Sequence, residues 1–168
     1  MICTSSHENC QSNKYITYAI SGNRGMDANY QGKCYSKLAP KLSFWKIWHD
    51  NIGKISEEEN NRYYVCQYWE QVLSKLDPET VYKELDCSIL LCYEPNTKFC
   101  HRHIVAAWFE IFLGKEIPEV KVKDYQIELI SRPEYIKQFL EEVITKDEYR
   151  FNKAQKELIK SKKHINQE

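Results

Sequence analysis

The sequence predicts an α/β sandwich with a mainly parallel sheet and a helical C-terminal extension. Short apolar runs of strand length alternate with segments whose apolar residues recur at helical spacing. One run, CSILLCY at Cys87–Tyr93, is continuously apolar, the pattern of a strand buried on both faces of a parallel sheet. Composition allows a core: 42% of the 168 residues are hydrophobic and 13% aromatic. A single domain of that length buries about two-thirds of its unfolded surface.

Taken in order, MICTS (Met1–Ser5) and YITYAIS (Tyr15–Ser21) have strand character, and Gly22-Asn23-Arg24-Gly25 is a turn signature after the second. LSFWKIWHD (Leu42–Asp50) is a short helical piece with a bulky apolar side. A stronger helix opens at Ser56, where Ser56 and Glu59 form a capping box and Glu57 and Glu58 favour the positive helix end. Val65, Trp69, Val72, Leu73 and Leu76 recur along it at helical spacing. Asp77 caps a further short helix with Pro78 in its first turn, ending near Leu85. After the apolar strand, His101–Leu113 reads as a helix stopped by Gly114. Glu119–Leu129 alternates as a single edge strand, and Ser131–Ile144 reads as a helix opened by a capping box of Ser131 with Glu134. Beyond Thr145 the apolar content thins into a frayed helical tail, or a basic contact arm ending in SKKHINQE. The division expected is residues 1–118 as the main unit and 119–168 as edge strand and helical tail.

Lysines plus arginines and aspartates plus glutamates number 24 each, so the chain has no global pull toward nucleic acid or membrane and any anion site must be local. No apolar run approaches the roughly 20 residues of a membrane helix. MICTSSHENC lacks the basic-then-apolar order of a signal peptide, so the seven cysteines read as reduced thiols of a cytoplasmic protein.

The chemistry concentrates in LLCYEPNTKFCHRH, Leu90–His103. In open α/β sheets, ligands bind where the carboxyl end of a strand leads into the next helix, and Glu94–Phe99 occupies that place. Cys100 falls at or just before the first helical turn, where unpaired N–H groups and the helix dipole stabilise a thiolate. His101 and Arg102 add positive charge, and the same geometry also binds phosphate. Spacing alone does not separate a reactive thiolate from an anion receptor. The structural alternatives are specific: Cys92 as a small core residue, Arg102 paired with Glu94 or Glu110, and His103 as a capping or surface histidine. A zinc site on Cys92, Cys100, His101 and His103 is disfavoured, because seven residues separate the cysteines and ligands spread over a strand and a helix start should converge poorly. No metal and no cofactor is expected.

Leu90-Leu91-Cys92-Tyr93-Glu94 followed by Cys100-His101-Arg102 resembles the signature of the domain-of-unknown-function 488 family. MICTS, TYAIS-GNRG, Tyr30-Gln31-Gly32, Tyr35–Pro40, the Tyr-rich helix and Leu76-Asp77-Pro78 resemble the N-terminal half of one of its subgroups, covering roughly residues 1–115. The resemblance implies a Rossmann-like α/β sandwich, no established reaction, and a cysteine motif that suggests an enzyme. The Gly-Asn-Arg-Gly turn departs from the wider family.

Gly22–Gly25 follows its strand as Glu94–Phe99 follows the apolar one. Both loops should therefore open on one edge of the sheet, with Asn23 and Arg24 facing Cys100 and Arg102 across a cleft; a plain turn with a solvated arginine is the alternative. Tyr30, Tyr35, Trp45 and Trp48 are candidates for stacking on a base, or core aromatics. Three readings follow. The first is a domain binding or processing a phosphate-bearing ligand (a nucleotide or nucleic acid) through Asn23, Arg24, Glu94, Arg102 and His103. The second is a cysteine-dependent enzyme of thiol or sulfur-transfer chemistry with Cys100 as nucleophile and His101 as base. The third is a non-catalytic interaction protein. A phosphatase is disfavoured because Arg102 follows Cys100 too closely for a phosphate-cradling loop. The two arginines at candidate loop positions favour the first reading.

Overall fold

The computed structural model describes residues 1–11, 13–22 and 29–165, with side chains up to residue 153. Its strands are β1 (Cys3–Ser6), β2 (Ile16–Ala19), β3 (Lys33–Cys34), β4 (Ser88–Cys92), β5 (Glu119–Lys123) and β6 (Gln126–Ile130). Its helices are α1 (Leu42–Asp50), α2 (Glu57–Gln71), α3 (Pro78–Glu84), α4 (His101–Leu113) and α5 (Tyr135–Ile165). The strands form one six-stranded sheet in the order β3-β2-β4-β1-β5-β6, parallel except for the β5–β6 hairpin. The architecture is α/β with a mostly parallel sheet and a C-terminal helix, consistent with a Rossmann-like fold.

All five helices lie on one face of the sheet. Phe44 of α1, Tyr64 and Tyr68 of α2, Val81 of α3, Trp108 of α4 and Leu140 of α5 share a single core with Ile2, Ile20 and Leu90. Among the described residues, the other face carries no helix. There Ile89, Leu91, Val120 and Val122 pack beneath Cys10, Tyr15 and Tyr30, and Asn9 O accepts a 2.7 Å hydrogen bond from Val122 N. The five residues of β4 are all buried, the condition its continuous apolar run predicts.

Local chemistry sets the helix ends. Ser56 Oγ accepts from Glu59 N at 3.2 Å, and Asp77 caps α3 through Thr80 N at 2.8 Å with Pro78 in the first turn. Gly114 closes α4 at φ 61°, the left-handed region where glycine carries no Cβ penalty.

Two predicted elements differ. Glu119–Leu129 is a hairpin rather than one edge strand: the chain reverses at Asp124 (φ 55°) and Tyr125. Asp tolerates the left-handed region, but Asp-Tyr lacks the glycine that would mark a tight turn in sequence. The last helix starts at Tyr135 rather than at the expected capping box of Ser131 with Glu134, and continues the helical tail to Ile165. Residues 119–144 are integral to the fold. Thr4 N donates to Pro118 O at 2.9 Å as β5 joins β1, and Ile136, Phe139, Leu140 and Ile144 enter the main core.

Candidate functional site

β2 and β4 are direct, parallel neighbours, so the segments leaving them open on the same sheet edge. Ser21 and Gly22 after β2, and Tyr93, Glu94, Phe99 and Cys100 after β4, border one cleft of about 500 Å³. Pro40, Leu42, Trp45 and Trp48 supply a further wall, and Tyr64, Cys92 and His101 complete the lining. Trp48, Tyr64 and Phe99 interlock, with ring centroids 5.2 to 5.7 Å apart. Trp48 Nε1 donates to Asn61 Oδ1 at 3.1 Å, so this wall is held by α2. Trp45 is looser, 38% exposed and stacked on His49.

Cys92 Sγ, Cys100 Sγ and a His101 ring nitrogen all lie within 4.8 Å of one another. Each arrives from a different local cause. Cys92 is the last residue of β4, on the helix-facing side of the strand with Leu90. Cys100 is the N-cap of α4 in extended conformation, and its sulfur makes no capping bond. His101, one residue on, turns toward β2. Its Nε2 stands 2.9 Å from Ile20 O; a carbonyl only accepts, so this contact places the proton on Nε2. Nδ1 is then left with its lone pair 3.3 Å from Cys92 Sγ.

The two thiols are inequivalent. Burial drives the Cys92 thiol well above the ordinary range, reinforced by Cys100 beside it. For Cys100 burial acts in the same sense, but the hydrogen bond from Cys92, the charge of Arg102 and the neighbouring His101 ring outweigh it and hold its pKa well below normal. Burial and the negative charge of Cys100 raise the Glu94 carboxyl.

Arg102 does not line the cleft. Its side chain is 0% exposed. Nε and Nη2 donate to Glu119 Oε1 at 3.1 and 2.9 Å, and Nη1 donates to Glu94 O at 2.7 Å. Thr4 Oγ1 donates to Glu119 Oε2 at 2.6 Å, completing the cage. The expected anion-binding arginine is thus a buried structural cation whose partner is Glu119, not the side chain of Glu94 or Glu110. The reason is helical: α4 lies across β4 and β1, and an advance of 100° per residue points His101 to β2 and Arg102 to β5. His103 is likewise buried, with Nδ1 3.6 Å from Glu119 Oε2, beyond hydrogen-bonding distance, and no partner for either ring nitrogen. Burial and Arg102 push it down to about 3, so it is neutral and is not a ligand group at the cleft.

Of the other expected site residues, Glu94, Cys100 and His101 meet at the cleft, while Asn23 and Arg24 lie outside the described residues. Tyr30 sits on the opposite sheet face, and Tyr35 donates to Glu84 at the surface. Of the four candidate ligands Cys92, Cys100, His101 and His103, the first three converge and His103 is turned away toward Glu119, so a four-residue site does not form. Sequence reasoning also missed Tyr64 and Phe99 as cleft walls and Glu119 as the partner of Arg102. In EVKVK, Glu119 has the alternation of an exposed strand position, and only pairing with Thr4 buries it.

No protein-family model matches the chain, and comparisons with curated proteins and with solved structures give no match. Among the described residues, no helix is long and apolar enough to cross a membrane.

Proposed function

We propose that the protein is a cysteine-dependent enzyme acting on a small, flat, largely apolar ligand held in the aromatic cleft, with Cys100 as nucleophile. The observation that carries this reading is the placement of Cys100 Sγ at the cleft, within 4.8 Å of Cys92 Sγ and a His101 ring nitrogen. A nucleophile next to a base that is itself oriented by a third group is the recurring arrangement of covalent catalysis. Here Ile20 O orients His101. Cys92-Tyr93-Glu94 and Cys100-His101-Arg102, the residues that resemble the domain-of-unknown-function 488 signature, supply both sulfurs, the imidazole and the buried cation. Membership of that family is part of the same proposal.

The phosphate-bearing ligand is the weaker reading, because Arg102 is committed to Glu119 and Glu94 is the one acidic or basic side chain, besides His101, among the described cleft residues. The test is competitive labelling. Under limiting iodoacetamide, peptide mapping should find Cys100 alkylated at least about tenfold faster than the exposed Cys34 and Cys87, in spite of its burial. Labelling of Cys34 or Cys87 ahead of Cys100 refutes the nucleophile.

A further inference from the structure

Cys92 has no part in the nucleophile reading beyond its contact with Cys100, yet it is the second thiol of the cluster. We propose that Cys92 and Cys100 form a dithiol–disulfide couple, and that the substrate is a neutral, aromatic or otherwise apolar organic disulfide. The inference rests on the proposed role of Cys100 and adds the reaction class and the resolving group.

Three observations carry it. The two sulfurs lie within 4.8 Å on separate elements, Cys92 on the strand end and Cys100 on the helix cap, so a modest side-chain movement brings them to the roughly 2.05 Å of a disulfide. His101 Nδ1, 3.3 Å from Cys92 Sγ, is placed to receive the proton that Cys92 must lose before it can attack. Among the described residues, the cleft lining favours a neutral ligand: its walls are Leu42, Trp45, Trp48, Phe99 and Tyr93, and Glu94 is the one carboxylate among them.

The step balances as follows. The Cys100 sulfur attacks one sulfur of R–S–S–R, the substrate S–S bond breaks, and RS⁻ leaves to take up a proton from solvent. A mixed disulfide Cys100–S–S–R remains. Cys92 passes its proton to His101 Nδ1 and attacks Cys100 Sγ, expelling the second RS⁻, which recovers that proton as RSH. The dithiol is oxidised by two electrons and R–S–S–R is reduced to two RSH. An external dithiol resets the couple.

The probe is dithiodipyridine, a neutral aromatic disulfide, at one equivalent per chain, with oxidised glutathione as the anionic comparison. The wild-type protein should give a Cys92–Cys100 linked peptide, release about two thiopyridones per reacted chain, and retain no adduct. Cys92→Ala and Cys92→Ser should release about one thiopyridone and retain the thiopyridyl group on Cys100. Glutathione disulfide should react at least about tenfold more slowly, since its charges must enter an apolar cleft. A wild-type protein that keeps the mixed disulfide on Cys100 overturns the couple and leaves the nucleophile standing. Reaction at Cys34 or Cys87 first overturns both. A stoichiometric metal ion in the purified protein, with both thiols inert until it is chelated, overturns the couple in favour of a metal centre.

Discussion

The buried pair of Arg102 and Glu119 allows a direct choice between an arginine that binds ligand and one that holds the fold. Replacing Arg102 by Met keeps most of the volume but leaves the Glu119 carboxylate, with a side chain 0% exposed, facing only Thr4 Oγ1 and a neutral His103. Breaking a buried pair by removing one partner costs about 3–5 kcal/mol, because the remaining charge stays desolvated. For a domain of this size each kcal/mol moves the melting midpoint by about 2–4 °C, so the expected loss is about 6–20 °C. The variant also removes the 2.7 Å bond to Glu94 O, which should loosen the segment leading to Cys100. Arg102→Met combined with Glu119→Leu and Thr4→Val removes every charged or hydroxyl member of the cage and should recover more than half of that loss, since apolar replacement of a whole buried network is often near neutral. Thermal and urea melts of the three proteins measure it. If Arg102→Met melts within about 2 °C of the wild type but loses affinity for inorganic phosphate or a nucleotide, the structural assignment is wrong and the arginine is a ligand group.

Two further outcomes follow from the same geometry. His103 is held neutral down to about 3, whereas an unfolded histidine takes its proton near 6.5. Between those values the unfolded chain binds more protons, so stability falls as pH is lowered from about 6.5 toward 3, by about 1.4 kcal/mol per pH unit from this one group. The difference between the urea midpoints of wild type and His103→Leu should be constant above about 6.5 and move against the wild type at pH 5 and 4; a difference that stays constant over the whole range would show that His103 titrates normally. Trp45→Ala removes the loosest cleft aromatic, with little effect on melting, and should lower the rate of Cys100 with dithiodipyridine about five- to fiftyfold through loss of one stacking contact. An unchanged rate would mean that the ligand does not lie against this wall.

Local features of this chain were legible in sequence because their causes are local. Ser56 and Asp77 cap helices through bonds three residues away, Gly114 ends α4 because it lacks a Cβ, and the apolar period of His101–Leu113 sets both bounds of that helix. The placement of Cys100 at the α4 start, and the exit of the parallel strands β2 and β4 at one sheet edge with Ser21 and Gly22 beside Tyr93 and Glu94, followed from alternating strands and helices and are what the structure shows. The hairpin at Asp124 was not legible, because its turn uses a residue pair without glycine.

Local sequence delivers two cysteines, a histidine and an arginine to one strand end and helix start. Which of them line the cleft depends on how the elements pack. The direction of each side chain around α4 depends on how the helix lies across β4 and β1, and this turns His101 into the cluster and sends Arg102 to Glu119, 17 residues further along the chain. Burial overturns the expectation for the arginine alone. Desolvated and paired, Arg102 holds the fold, whereas Cys92 is buried as its apolar run predicts and lies within 4.8 Å of the Cys100 sulfur.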